Sequence, residues 1–92
     1  MTTTASPTGT HISENVATLL WRASMSQRNL SATTGLAQAT ITAKMRGDST
    51  WTVLDLERIG EVLYVTVQEL VGSLPEREEW EQRRSTYTPT RW

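Results

Sequence analysis

Two glycines divide the middle of this chain of 92 residues into short segments, and this division most constrains its fold. Gly35 and Gly47 each follow a run with helical character, and each is expected to supply the left-handed residue that ends a helix. The helices predicted before them cover residues 27–34 and 38–46. Helices this short, joined by short links, are expected to pack into a compact bundle.

Helix-start signals place further helices on both sides of this pair. Ser13 is the predicted N-cap of a first helix whose apolar residues recur at helical spacing. Thr52 and Thr66 are the predicted N-caps of a fourth helix and of a short fifth one over residues 67–71. Pro75 is expected to open one or two more helical turns. No segment reads as a strand, so the sequence predicts an all-α fold of five helices with a short C-terminal helical extension.

The chain is expected to form one domain with a tail at each end. Residues 1–12 are predicted to be a disordered N-terminal arm, because they are rich in Thr, Ser, Gly and Pro. Residues 13–72 are predicted to be the folded domain and residues 73–92 a partly helical extension. His11 is the only histidine and the chain has no cysteine, so no disulfide, metal or cofactor is expected.

Charge is segregated along the chain although the net charge is only −1. Residues 15–47 carry no acid and four cations, which are Arg22, Arg28, Lys44 and Arg46. Residues 48–82 carry nine acids against two arginines. Such segregation predicts a positive field over one face, with chance placement of four cations as the alternative.

The sequence favours neither a membrane protein nor an enzyme. No stretch is long and apolar enough to span a bilayer, and the N-terminus lacks the pattern of a signal peptide, so a cytoplasmic protein is expected. There is no Ser/His/Asp or Cys/His set, no phosphate-binding loop and no paired carboxylate in a Gly-rich frame. No catalytic residue and no small-molecule ligand is therefore expected.

The residues around Gly35 have the spacing of a helix-turn-helix. Two helices that meet steeply through a short turn need a small residue at their crossing, a residue that permits positive φ in the turn, and an apolar residue facing back into the angle. Ser31, Gly35 and Ile41 occupy these three places. Leu30 and Leu36 are expected to fill the space beneath the turn.

Four short motifs in this region extend the pattern. They are Met-Ser-Gln at 25–27, Thr-Gly at 34–35, Gln-Ala-Thr-Ile-Thr at 38–42 and Val-Thr-Val-Gln-Glu-Leu-Val at 65–71. In this order and spacing they resemble the lambda-repressor/Cro-like family, also called the Xre-type helix-turn-helix family, from Val16 to about Val71 without a gap. The resemblance implies a lambda-repressor-like DNA-binding domain over residues 13–72 and a double-stranded DNA operator as partner.

The resemblance also implies roles for single residues. The positions expected to face bases are Gln38, Ala39, Thr42 and Ala43. The positions that the resemblance places at phosphates are Ser26, Gln27 and Arg46. Arg28, Thr40 and Lys44, in or beside the same helices, are expected at phosphates as well. A glutamine at the start of a helix in the major groove can bind adenine with two hydrogen bonds, and Gln27 is expected to steady Gln38. The alternative for Gln38, Arg28 and Lys44 is an ordinary solvated side chain.

Three residues depart from the family pattern. Lys44 falls where an apolar residue is usual, so Met45 is expected to pack inward while Lys44 extends outward. Tyr64 falls where Gly or Asn usually turns the chain, which predicts a strained or differently built link. Trp51 falls in a loop where Pro or a polar residue is common.

The function predicted from these features is a transcriptional regulator that occupies an operator, most simply a phage or prophage-type repressor. A Cro-like antagonist, an antitoxin and part of a longer protein remain open. The alternative class is a helical protein-interaction module that has lost DNA binding, which exposed tryptophans at 51, 80 and 92 would favour.

Pairing into a homodimer, at least on DNA, is expected because one recognition helix covers few base pairs. The residues predicted to form the contact are Val67, Val71, Leu74 and Trp80. The alternative is that Trp80 folds back on its own domain, against Trp21 for example.

Overall fold

All regular secondary structure in the described part of the chain is helical, as predicted. The computed structural model describes the backbone of residues 7–86 and the side chains of residues 9–85. In chain order the helices are α1 (Pro7–Ala23), α2 (Gln27–Thr34), α3 (Gln38–Arg46), α4 (Val53–Leu63), α5 (Val67–Val71) and α6 (Arg77–Thr86). Within this range no helix has both the length and the apolar character needed to cross a membrane.

Capping boxes begin three of these helices where the sequence places an N-cap. Ser26, Thr52 and Thr66 adopt extended backbone, and each hydroxyl accepts a hydrogen bond from the backbone N–H three residues on. The side chains that bind back to the cap amides are those of Asn29, Asp55 and Glu69. These local bonds satisfy N–H groups that have no partner within the helix, which is why the predicted starts of α2, α4 and α5 are confirmed.

Left-handed residues follow α2, α3 and α4, as predicted for the first two. Gly35 has φ of 83° and Gly47 has φ of 87°, a region that glycine enters without steric cost. Tyr64 takes the same position after α4 with φ of 63° and ψ of 39°. A left-handed backbone at a residue with a bulky side chain is unfavourable, so the strain predicted for this link is located at Tyr64.

The start of α1 differs from the prediction. The helix begins at Pro7, and Ser13 is therefore inside α1 rather than its N-cap. Ile12 is buried in the core, and His11 hydrogen-bonds through Nε2 to the carbonyl oxygen of Gly72. These contacts attach the helical residues 7–12 to the rest of the domain, so the predicted disorder is wrong for them. Residues 1–6 of the predicted arm lie outside the described residues.

The core lies where five helices meet. Helix α1 packs against α3, α4 and α5, while α2 packs against α3 and α4, and α4 packs against α5. The largest fully buried side chains are those of Trp80, Leu19, Leu30, Ile41, Ile59, Leu63, Leu70 and Val16. The apolar stripe predicted for α1 thus faces the buried residues of α4 across a shared interior.

Helix α6 completes this core instead of extending away from it. Trp80 is fully buried, and its indole Nε1 donates a hydrogen bond of 2.6 Å to the carbonyl oxygen of Leu63. Arg83 donates one of 3.0 Å to the carbonyl oxygen of Tyr64. Carbonyls at a helix end lack partners within the helix, and α6 supplies donors for two of them. The prediction that Trp80 is free to pair with a second copy is wrong, and the alternative that it folds back is confirmed.

An ion pair ties α6 to the start of α5. Arg83 donates hydrogen bonds of 2.8 and 2.7 Å to the two carboxylate oxygens of Glu69. These bonds from Arg83 lower the pKa of Glu69 to about 2, against a smaller opposing effect of burial. Glu69 also belongs to the capping box of α5, which holds its carboxylate in place. The ion pair therefore joins α6 to a side chain that already has a fixed position.

Candidate nucleic-acid interface

The turn between α2 and α3 is fixed by hydrogen bonds from both of its sides. The N–H of Gly35 donates to the carbonyl oxygen of Ser31 over 3.0 Å, and the Ser31 hydroxyl donates to that of Leu36 over 2.6 Å. Arg58 of α4 donates to the carbonyl oxygen of Thr34 over 3.3 Å. Ser31 is therefore the small residue predicted at the crossing, and it also forms two of the hydrogen bonds that hold the turn. Ile41 is fully buried, as its predicted place requires.

The four residues predicted to face bases share one side of α3. Gln38 and Ala39 are exposed, while Thr42 and Ala43 are half-buried. Side chains four apart in a helix lie one above the other, so the four form two adjacent rows. Arg46 continues the row of Gln38 and is exposed as well. The opposite side of α3 carries buried residues, so this is the side of α3 that a partner can reach.

Gln27 of α2 contacts this side through Thr42. The Thr42 hydroxyl donates a hydrogen bond of 3.0 Å to Oε1 of Gln27. Gln27 was predicted to steady Gln38, but the side chain that it holds is Thr42. The bond fixes the middle of α3 against the first turn of α2, and it leaves Gln38 exposed.

The residues predicted at phosphates fall into two groups. Ser26, Arg28 and Arg46 are exposed, whereas Gln27 and Thr40 are half-buried. Arg46 forms an ion pair of 3.6 Å with Asp48, in which both side chains are mostly exposed. An exposed pair of this kind contributes little, so Arg46 can exchange it for another anion at small cost.

Lys44, the remaining residue predicted at a phosphate, is buried. It is 8% exposed and forms an ion pair with Asp55, which is also buried. Burial alone would raise the pKa of Asp55, but hydrogen bonds from Lys44 and Thr52 outweigh it and lower the pKa. The predictions that Lys44 extends outward and binds a phosphate are wrong, because the capping box of α4 holds a carboxylate within its reach. Met45 packs against the core, as expected.

Two signals in the sequence are compatible with this pair, although neither of them places the two residues side by side. Asp55 is the third residue of a predicted capping box, which fixes its carboxylate near the start of α4. Lys44 occupies an inward position of α3 by helical spacing. A buried cation requires a partner, and a carboxylate held at a helix start is one.

Charge on this side of the domain follows the predicted segregation. Helices α2 and α3 contain no acid, and their cations that remain exposed are Arg28 and Arg46. Exposed acids lie on α1, α4 and α6, and a further one, Asp48, lies just after the end of α3. Helices α2 and α3 themselves therefore present no carboxylate to a polyanion, and the acid beside them is Asp48, which pairs with Arg46 just after α3.

The tryptophans are placed differently from the prediction. Trp51 is 8% exposed and Trp80 is fully buried, so neither offers the exposed ring that an interaction module would use. Trp92 lies outside the described residues. Trp21 is 72% exposed, with the guanidinium of Arg77 5.2 Å from its ring centroid. The indole N–H of Trp51 donates to the Ser13 hydroxyl of α1, so the polar group of the buried ring has a partner.

Comparisons with known proteins yield no relative: no family model, no curated protein and no solved structure matches the chain. The resemblance to the lambda-repressor/Cro-like family therefore rests on the sequence motifs alone. In the described part of the chain, no group of three His, Asp or Glu side chains could hold a metal ion.

Proposed function

We propose that the protein is a sequence-specific double-stranded DNA-binding regulator with a lambda-repressor-like fold, most simply a phage or prophage-type repressor. The observation that carries the proposal is the exposed, acid-free side of α3 beside a turn fixed at Gly35. A helix of this kind fits the major groove, where each base pair presents a distinct pattern of donors and acceptors.

The side chains on this side of α3 suit contacts with bases. Gln38 lies at the first position of the helix, and its amide offers a donor and an acceptor that match N6 and N7 of adenine. Ala39, Ala43 and the methyl of Thr42 suit the methyl group of thymine. None of these residues carries a charge, so they would add discrimination between bases rather than general affinity.

General affinity would come from the cations around them. Arg28 lies in the first turn of α2 and Arg46 ends α3, so the acid-free pair of helices carries an exposed arginine near its start and another at its end. The backbone N–H groups at the start of α2 add a partial positive charge, which is favourable for phosphate. The affinity is therefore expected to depend strongly on salt concentration.

Binding to duplex DNA tests the proposal directly. The protein should bind random duplex at low salt, and log affinity should fall linearly with log salt concentration. A site selected from a random oligonucleotide pool should bind more tightly than random duplex at the same salt. No binding to either DNA at low salt would contradict the proposal and favour the interaction module instead.

Gln38→Ala is expected to weaken binding to the selected site by about 1–3 kcal/mol and to relax preference at one base position. The reason is the loss of a two-bond contact, with random duplex little affected. Gln68→Ala is the matched control, because Gln68 is exposed on α5. Titrations of both variants on the selected site and on single-base variants provide the measurement. Equal base preference in Gln38→Ala and the wild type would remove Gln38 from the base-facing set.

Arg46→Gln is expected to weaken selected and random DNA alike. One phosphate contact fewer should reduce the slope of log affinity against log salt by roughly one unit. Arg77→Gln is the control, because it removes an exposed arginine from α6 and should leave the slope unchanged. A loss confined to one DNA sequence would show instead that Arg46 contacts a base.

Two-fold pairing on adjacent half-sites remains part of the proposal, with a smaller contact than the sequence suggests. Since Trp80 belongs to the core, the candidates that remain are Val71, which is 38% exposed, and the half-buried Val67 and Leu74. Such a limited surface suits a contact completed on DNA. Titration of an operator with one or two half-sites would show cooperative filling if pairing occurs.

A further inference from the structure

The buried pair of Lys44 and Asp55 lies behind the proposed base-facing side of α3. Lys44 is two residues from both Thr42 and Arg46, which is about 200° around a helix. Its ammonium is bonded to the Asp55 carboxylate, and both side chains are 9% exposed. A direct contact between Lys44 and DNA is excluded by this position, so any effect of the pair on binding acts through the placement of α3.

Three parts of the chain converge on Lys44. The Ser13 hydroxyl of α1 donates to the carbonyl oxygen of Lys44 over 3.1 Å. The indole N–H of Trp51, in the segment before α4, donates to the Ser13 hydroxyl over 3.1 Å. Asp55 of α4 accepts a hydrogen bond of 2.9 Å from the N–H of Thr52 in addition to its bond with Lys44. One residue of α3 is thus held by its backbone from one side and by its side chain from another.

Stability alone does not require charges at these positions. Replacing a buried ion pair by apolar groups of similar volume is often neutral or stabilising, because both charges lose their hydration on burial. Apolar contacts, however, are not directional, so they define the rotation of a helix less sharply than hydrogen bonds do. Hydrogen bonds have a preferred distance and angle, so a Lys–Asp pair with a second bond at Ser13 restricts rotation of α3.

We propose that Lys44 and Asp55 are positioning residues that fix the rotation of α3 and thereby set how sharply the protein discriminates its DNA site from other sequences. This inference rests on the proposed DNA-binding function. Hydrogen bonds from α3 to base edges require their groups to lie within about 0.5 Å and 10–20° of the best geometry. The pair holds Gln38, Ala39 and Thr42 within such limits without touching the DNA.

The double variant Lys44→Met/Asp55→Asn separates positioning from stability. Methionine retains an unbranched, apolar stem, and asparagine retains an oxygen for the N–H of Thr52, so no charge stays buried. Its melting temperature should lie above those of both single variants and close to that of the wild type. The ratio of selected-site to random-duplex affinity should fall by about tenfold, the discrimination that one two-bond base contact supplies. Affinity for random duplex and its salt slope should stay unchanged.

Glu81→Gln is the matched control, because it neutralises an exposed carboxylate paired with an arginine on α6. Its affinity ratio should equal that of the wild type. A double variant with the wild-type melting temperature and the wild-type ratio would overturn the proposal, since the pair would then serve packing alone. A salt slope reduced by about one unit would overturn it differently, by showing that Lys44 binds a phosphate.

A measurement on the free protein distinguishes failure of this inference from failure of the proposed function. If the wild type binds no duplex, the DNA-binding function is wrong, but rotation of α3 can still be observed. In the free double variant, the amide resonances of Gln38 and Ala39, more than one helical turn from Lys44, should shift relative to Glu81→Gln. Unchanged resonances at both residues would overturn the positioning role.

Discussion

Replacing Trp80 by alanine is expected to lower the free energy of unfolding by about 3–5 kcal/mol. The ring is fully buried among the packed helices, so its removal leaves a cavity. The carbonyl oxygen of Leu63 also loses the 2.6 Å bond from the indole N–H. A loss of this size is a large part of the total stability of a small domain. Chemical denaturation followed by circular dichroism provides the measurement.

Trp21→Ala is the matched control for Trp80. Trp21 is 72% exposed and contacts Arg77 at the surface, so its removal should cost about 1 kcal/mol or less. Trp80→Phe fills most of the cavity but removes the donor, and it should fall between the two alanine variants. Equal losses for Trp80→Ala and Trp21→Ala would contradict the burial of α6 against the core.

The burial of Trp80 against the core limits what a truncation of the C-terminal segment can show. A truncation before α6 would remove Trp80 and Arg83 together, and with them the donors to the carbonyls of Leu63 and Tyr64. A truncated protein that lost cooperative DNA binding would be uninformative, because it would also be less stable. Substitution of the exposed Val71 is the better test of pairing.

The helices that the sequence predicted well are those with local signals. Ser26 and Thr66 cap their helices by bonds to residues three positions on, and Gly35 ends α2 by its own backbone preference. These features involve neighbours in the sequence, so propensity and spacing suffice to place them. The order of α2, the turn and α3 followed from the same signals, and so did the exposed position of Gln38.

The features that the sequence did not reveal depend on distant partners. Trp80 is the only large apolar residue of α6, a pattern that fits either a surface contact or a single anchor. In the structure the ring is buried in the core, and its N–H donates to a carbonyl oxygen 17 positions away, a partner that no local pattern specifies. The first turns of α1 likewise depend on Ile12 reaching the core and on His11 reaching Gly72, which no local pattern encodes.

The residues of the candidate interface also divide into those placed by local signals and those placed by a distant partner. Exposure of Arg28 and Arg46 followed from their places along α2 and α3, but the burial of Lys44 did not. A lysine at an inward position can extend past its neighbours into solvent, and only the location of Asp55 decides against this. Lys44, one of the three residues that depart from the pattern the sequence resembles, is therefore also one whose predicted position was wrong.

Gly60→Ala is expected to destabilise the fold by about 3 kcal/mol, although alanine is the better helix former. Gly60 is buried within α4, and the chain turns back after Tyr64 so that Val65 passes close to it. The N–H of Val65 donates a hydrogen bond of 3.1 Å to the carbonyl oxygen of Gly60. A Cβ at position 60 would overlap the carbonyl oxygen of Val65.

Two opposing effects decide the sign of this change. Exchange of glycine for alanine inside a helix gains about 1 kcal/mol from propensity. The overlap, however, is with backbone, which cannot move aside as a flexible side chain can. Val65 is held on its other side by Thr66, the N-cap of α5, so relief of the overlap would displace α5 and the core residue Leu70. The steric cost is therefore expected to exceed the gain.

Gly47→Ala is the matched control, because a Cβ there meets no atom within 4 Å. That variant bears only the cost of a left-handed backbone, about 1–2 kcal/mol. Denaturation of both variants under the same conditions should show the larger loss at Gly60, despite its favourable helical φ. If Gly60→Ala were as stable as the wild type, the close approach of Val65 to α4 would be wrong. The left-handed turn at Tyr64, which brings the two segments together, would then need a different conformation.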